Sequence, residues 1–326
     1  MGSLGDKNFH SSLSGHLQAF VEQKQAAGYT YRGNIGKLRI FDDMVAEKFP
    51  DASTVTKDMN NSWLSLRSIY PRTLLNDANA VRQFSKYLNG IGVEAYVLPY
   101  GSLKVPPRYE PHIYTDKEKA AFFRSIDECK WSKYSPTKSY VVPMIFRMIY
   151  CCGLRSSEAR KLYREDVDLK TGKVLIRASK FWQERVIYTS WDLLENLRDY
   201  EAVISKVMPD RIAFFPNRKG QFFSSSVIDD WFHEFWDPLP EASRIVGNSP
   251  RVHDWRHTYF TDRMDLWVKE GSDINSLEMY LSEYVGHSHY AADDYYQHLT
   301  ASFYPEMEKR MSVVNRNILP EVPHEK

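Results

Sequence analysis

The stretch IYCCGLRSSEARKLYREDVDLKTGKVLI, residues 149–176, decides how this chain is read. It starts in the tail of a strongly apolar run, Pro143 to Ile149, that ends at Gly153. Such a run reads as a buried helix with a glycine C-cap. Arg155 follows Gly153-Leu154 at the start of the next helix, where backbone N–H groups also favour an anion. Glu158, three residues on, falls on the same helical face and can orient an arginine or a histidine. The stretch closes on the first of two β-branched runs, KVLIRA (173–178) and RVIYT (185–189). The short polar segment between them predicts a hairpin with Lys180 near its turn.

Upstream, the first hundred residues read as helices. Leu13, Leu17, Phe20 and Val21 keep helical spacing, as do Ile35, Leu38, Phe41 and Val45. A third stripe, Leu74, Ala78, Val81, Phe84 and Leu88, stops at Gly90 and Gly92. Apolar stripes with polar backs suit a small bundle. A segment with three prolines between 106 and 111 then marks a linker. Beyond it, Thr115 and Glu118 form a capping box, and helical patterns return at 191–206, 225–236, 251–268, 274–285 and 303–315. The predicted fold is mainly α with a small antiparallel β-sheet: a helical domain over 1–107, then a domain over 108–326 that ends in a tail helix at 301–318.

Composition bounds the function. Apolar residues at 43% and aromatics at 14% support packed cores. No apolar run approaches the ~20 residues a membrane span needs. The N-terminus lacks the apolar core of an export signal. Cys129, Cys151 and Cys152 are too few and too oddly placed for a disulfide framework, so a reduced cytoplasmic protein is expected. The net charge of +1 does not advertise a nucleic-acid partner. Its distribution is uneven: residues 1–107 carry 12 Lys/Arg against 9 Asp/Glu, and 155–185 holds nine basic residues against five acids. Such a segment can make a local basic surface, or a solvated face of mixed charge.

Arg155, Lys180, His253, Arg256, His287 and Tyr296 follow in this order down the chain. Such a set can clamp a phosphate, protonate a leaving oxygen and attack phosphorus without a metal. His253 and Arg256 are one helical turn apart and share a face. His253 to His257 also reads H-D-x-x-H, close to the zinc-binding H-E-x-x-H helix, but Asp254 stands where that pattern needs a glutamate base and no strong third ligand follows.

Three blocks then carry a resemblance. The opening stretch is similar to the first catalytic block of the tyrosine recombinases, the family of phage integrases and chromosome-dimer resolvases. SPRVHDWRHTYFTDRM (249–264) resembles the second block and YVGHSHYAADDYYQHL (284–299) the third. With the capping box and FFPNRKGQFFS (214–224), it runs over roughly residues 105–300. The first domain resembles the family's core-binding domain in size and pattern only. The resemblance implies a catalytic set of Arg155, Lys180, His253, Arg256, His287 and the nucleophile Tyr296, with Glu158 in support and no metal or cofactor. Arg155 and Arg256 would clamp the phosphate, Lys180 would protonate the leaving 5′ oxygen, and His253 and His287 would add hydrogen bonds. Nine residues separate His287 from Tyr296, which selects Tyr296 over the adjacent Tyr295. The product implied is a 3′-phosphotyrosine.

The expected partner is double-stranded DNA with paired half-sites, bound by a dimer or tetramer of this chain on the nucleoid, with accessory proteins left open. The biological outcome, whether integration, excision, transposition or resolution, is open as well. The rival reading is a catalytically inactive DNA-binding accessory protein of the same fold. One departure from the family pattern is the 31-residue interval from Arg256 to His287, longer than in compact members. Past Tyr296, Phe303, Met307, Met311 and Val314 form an apolar stripe that needs a partner, in its own domain or on a neighbouring protomer.

Overall fold

The computed structural model describes residues 9–29, 31–67, 70–105, 109–177, 184–244 and 249–286, with the side chains of 274–276 left aside. The tail expected at 301–318 lies outside the described residues. The chain divides into two compact units, Met1–Arg108 and Tyr109–Lys326. Among the described residues, eleven α-helices and one three-stranded antiparallel sheet make the fold mainly α, as expected. No helix among them is long and apolar enough to cross a membrane.

The first unit is a bundle of α1 (Ser14–Ala26), α2 (Arg32–Lys48), α3 (Lys57–Leu66) and α4 (Pro71–Gly90). The apolar stripes face inward: Leu17, Phe20, Leu38, Phe41, Val81, Phe84 and Leu88 are buried together. Pro71 opens α4 at a first-turn position, where its missing N–H has no partner to lose. The pattern did not predict α3. Thr56 starts it by accepting from the Met59 N–H at 3.2 Å, and Trp63 anchors it, edge-on to Phe41 with centroids 5.6 Å apart.

In the second unit, α5 (Asp116–Asp127) begins at the expected capping box: Thr115 Oγ1 accepts from the Glu118 N–H, and Glu118 Oε2 accepts from the Thr115 N–H at 2.8 Å. Then come α6 (Lys138–Cys151) and the five-residue α7 (Ser156–Arg160). The apolar run at Pro143 covers only part of α6, which starts five residues earlier and also buries Val141 and Val142. Pro143 sits inside the helix, where it lacks an N–H for the carbonyl four residues back. The sheet follows as β1 (Val167–Asp168), β2 (Lys173–Ile176) and β3 (Arg185–Tyr188), paired in that order. The predicted hairpin is β2–β3, with Val174 opposite Ile187 and Ile176 opposite Arg185.

The remaining helices are α8 (Trp191–Val207), α9 (Ser225–Trp236), α10 (Asp254–Lys269) and α11 (Ile274–Val285). The core surrounds α6, whose Ile145, Phe146 and Ile149 are buried with Phe122, Leu197 and Trp255. Trp255 stacks on Tyr114 at 3.9 Å between centroids, and Phe122 leans on it at 4.9 Å. This packing sets α10 across the end of α6, next to α11.

Candidate active site

The site is built on the way α6 stops. Gly153 has φ +59°, its N–H donates to the Tyr150 carbonyl at 3.3 Å, and the Leu154 N–H donates to the Ile149 carbonyl at 3.0 Å. That is a Schellman stop, with glycine at its left-handed position. A Cβ at Gly153 would lie 2.5 Å from Tyr259 Cδ1, so the close approach of α10 also requires glycine. The Gly153 carbonyl turns to α10 and accepts from Arg256 Nη1 at 2.7 Å. Arg256 itself is 2% exposed.

Two residues past the stop, Arg155 is the N-cap of α7. Its Nη1 donates to Glu158 Oε1 at 2.8 Å, its backbone N–H to Glu158 Oε2 at 2.9 Å, and its Nη2 to the Gly286 carbonyl at 2.6 Å. The helix-start N–H at Arg155 is therefore taken by Glu158 rather than offered to an external anion. The side-chain bonds use two of the five guanidinium N–H groups.

Glu158 holds a second arginine that the sequence reading did not single out. Arg185 donates from Nη1 to Oε1 at 3.0 Å and from Nη2 to Oε2 at 2.9 Å, and its Nε donates to the Tyr284 carbonyl at 2.7 Å. The signal for it was the strand pattern. Arg185 is in phase with buried Ile187, so it occupies the inward face of β3, where a charge needs a partner. Burial raises the Glu158 pKa, but the hydrogen bonds and charge of Arg185, the Arg155 N–H and the charge of Arg256 outweigh it and hold the carboxyl at about 2. Three guanidiniums thus act on one ionised carboxylate, an excess of positive charge suited to an anion.

His253 is exposed at the N-cap of α10, and its carbonyl accepts from the Arg256 N–H at 3.1 Å. The His253 and His257 rings meet edge-on at 4.8 Å. Asp254, which would stand for the base in a zinc reading, instead accepts from Tyr109 Oη at 2.6 Å and from the Arg251 N–H at 2.8 Å. Its buried carboxylate serves to pin the start of α10. Lys180, His287 and Tyr296, like Tyr295, lie outside the described residues.

Comparison with known proteins adds the family. The phage integrase family matches residues 126–302, more than half of the chain. The chain belongs to the phage integrase family. That places it among the tyrosine-type DNA recombinases. The protein y4rE of Sinorhizobium fredii is 26% identical over 297 residues, which cover 88% of this chain and 92% of the relative. The tyrosine recombinase XerC of Chlorobaculum tepidum is 24% identical over 253 residues, 71% of this chain and 70% of the relative. Two solved structures share the fold. One is the XerH recombinase bound to palindromic difH substrate, with TM-score 0.61 and 19% identity over 86% of this chain and 78% of that one. The other is a lambda integrase tetramer bound to a Holliday junction, with TM-score 0.61 and 14% identity over 89% of this chain and 78% of that one. The integrase-family segment contains every residue singled out above, from Arg155 to Tyr296, together with Arg185.

Proposed function

We propose that this integrase-family protein cuts and rejoins DNA at specific sites through a 3′-phosphotyrosine formed on Tyr296. The observation that carries the reading is the junction of α6 and α7, where Arg155 and Arg256, far apart in sequence, are both tied to a short stretch that holds one carboxylate. In the proposed step the Tyr296 oxygen attacks a backbone phosphorus and the bond to the 5′ oxygen breaks. Arg155 and Arg256 stabilise charge on the non-bridging oxygens, with His253 and His287 adding hydrogen bonds. Lys180 gives its proton to the departing oxygen, and the phenol proton passes to a neighbouring base. A 5′ hydroxyl from a partner duplex reverses the step, so the bond energy stays in the protein–DNA link. Glu158 orients Arg155.

The partner proposed is duplex DNA with paired half-sites, gripped by the catalytic unit and the helical unit over 1–107 as a clamp. Assembly to a dimer or tetramer is proposed by analogy with the lambda integrase tetramer on its junction. Nucleoid association follows from that partner.

The test begins with a pool of random-sequence duplexes, each nicked just beyond a possible cut so that the released fragment diffuses away. The wild-type protein should select duplexes that stay covalently attached in denaturant, and should do so in EDTA. On a selected duplex, Tyr296→Phe should bind without forming the adduct, while Tyr295→Phe should still form it. Adduct from Tyr296→Phe refutes the assignment. Binding without any wild-type adduct points instead to an inactive DNA-binding protein of this fold.

A further inference from the structure

Arg185 has no role in the reaction just set out, yet its side chain, 11% exposed, is used on every side. Both Nη atoms bind Glu158 and Nε binds the Tyr284 carbonyl. The flat guanidinium also lies against Gly286: a Cβ there would be 3.0 Å from Nη1 and 3.3 Å from Cζ. One residue thereby joins β3, the start of α7 and the end of α11. An ordinary buried ion pair would do no more than that. What sets this one apart is that the Arg155 guanidinium has two partners, Glu158 and the Gly286 carbonyl. Arg185 bonds to the first and lies against the residue that carries the second. The four donors on Glu158, two from each arginine, match the lone-pair sites of a carboxylate, so its plane has little freedom to rotate.

We propose that Arg185 is a positioning residue for strand transfer, which holds Glu158 and Gly286 and through them aims the Arg155 fork at the scissile phosphate. The inference rests on the recombinase reading of the same site. The hydrogen bonds of the Arg185 guanidinium run to Glu158 and the Tyr284 carbonyl, so it acts through the residues it supports. The depressed pKa of Glu158 fits this arrangement, since Arg185 is the largest influence opposing its burial. The charged groups facing Glu158 are Arg155 from α7, Arg185 from β3 and Arg256 from α10.

The experiment uses the full-length protein and a duplex selected by the wild type as above. Adduct formation is timed in single turnover at saturating protein for Arg185→Met, Arg185→Lys, Glu158→Gln and the Arg185→Met/Glu158→Gln double variant. Arg185→Met should slow the step about 10- to 100-fold, the cost of a misplaced reacting group. DNA affinity should stay within about two-fold, because the loss is confined to the transition state. Arg185→Lys, which keeps the charge and loses the fork, should recover part of the rate. Arg185→Met should also gain a fall in rate toward acid pH that wild type lacks, as Glu158 becomes protonated, and the double variant should lose that fall.

If Arg185 works through Glu158, the double variant is no slower than the slower single. A folded Arg185→Met protein with the wild-type rate overturns the proposal, as does a double variant slowed by the product of the two single effects. Should Arg185→Met fail to fold, Arg185→Lys decides: wild-type rate there overturns it. Failure of the wild type to form any adduct is seen before any substitution is made, and it removes the functional reading and this inference together.

Discussion

Replacing Gly153 by alanine tests the geometry on which the whole site stands. The backbone at φ +59° is left-handed, which costs an L-residue about 1–2 kcal/mol. The new methyl would meet Tyr259 at 2.5 Å from Cδ1 and 2.9 Å from Cε1, and Val285 Cγ1 at 3.1 Å. Tyr259 is 8% exposed and packed among Phe260, Leu281 and Val285, so displacing its ring disturbs that cluster. Overpacking of that kind costs about 1–3 kcal/mol. The expected loss is therefore about 2–5 kcal/mol, read as a lower urea midpoint at unchanged slope for the full-length protein. Tyr259→Ala opens a cavity by itself, but in the Gly153→Ala background it removes the two closest contacts, leaving the backbone cost and the approach to Val285. The cycle should show a coupling of about 1 kcal/mol or more. A shift in the Gly153 carbonyl would also disturb its bond to Arg256, so the surviving protein should cleave more slowly. A loss below about 0.5 kcal/mol, the range of surface substitutions, or strict additivity with Tyr259→Ala, would refute the account of this turn.

Two further outcomes are expected. The folded-state pKa of Glu158, about 2, lies below its ordinary 4.5, so its contribution to stability is complete above pH 4.5 and is lost as pH falls toward 2. Unfolding free energies of wild type and Glu158→Gln from urea titrations should accordingly differ most near neutrality and converge by roughly 3 kcal/mol on acidification; parallel curves would contradict the assignment. For assembly, truncation after Leu299 removes the apolar stripe from Phe303 to Val314. Single protomers should then still bind DNA while higher-order complexes disappear, and unchanged assembly and recombination would rule out docking of the tail on a neighbouring protomer.

Much of the fold was legible because burial leaves a period in the sequence. The pattern at 225–236 is α9 and that at 274–285 is α11, residue for residue. Where the period fails, so did the reading. Helix α3 is ten residues long and buries a polar Asn60 between Met59 and Trp63, and the N3 position of its capping box is methionine instead of glutamate. Strand β1 is two residues, too short to alternate. Helix α10 begins three residues later than its apolar pattern, because Asp254 ties Arg251 into a turn ahead of it. In the site, the side chains that stand out by type and spacing were readable: Arg155, Glu158 and Arg256. Their main partners were not. Two of those are the carbonyls of Gly153 and Gly286, and a carbonyl is common to every residue and leaves no mark in the sequence. Arg185 did leave one, as a charge in the buried phase of a strand, but only the pairing of β2 with β3 shows which phase is buried.

The two glycines explain how helix ends, together with the Glu158 side chain, hold this site in place. Gly153 closes α6 and Gly286 follows the last residue of α11, both at positive φ, +59° and +70°. Each hands its carbonyl to one of the two arginines proposed to clamp phosphate, Gly153 to Arg256 and Gly286 to Arg155. Carbonyls at or just past a helix C-terminus lie at the negative end of its dipole, so a guanidinium there is attracted as well as oriented. The backbone cannot rotate away as a carboxylate side chain can, and it does not change charge with pH. Donors fixed in this way need little reorganisation when charge builds on a bound phosphate, which is the condition under which electrostatic stabilisation is most effective. The glycines that allow the helices to stop thus also fix the direction of both arginines. A substitution at either one should be felt first in stability and then in chemistry, through the same atom.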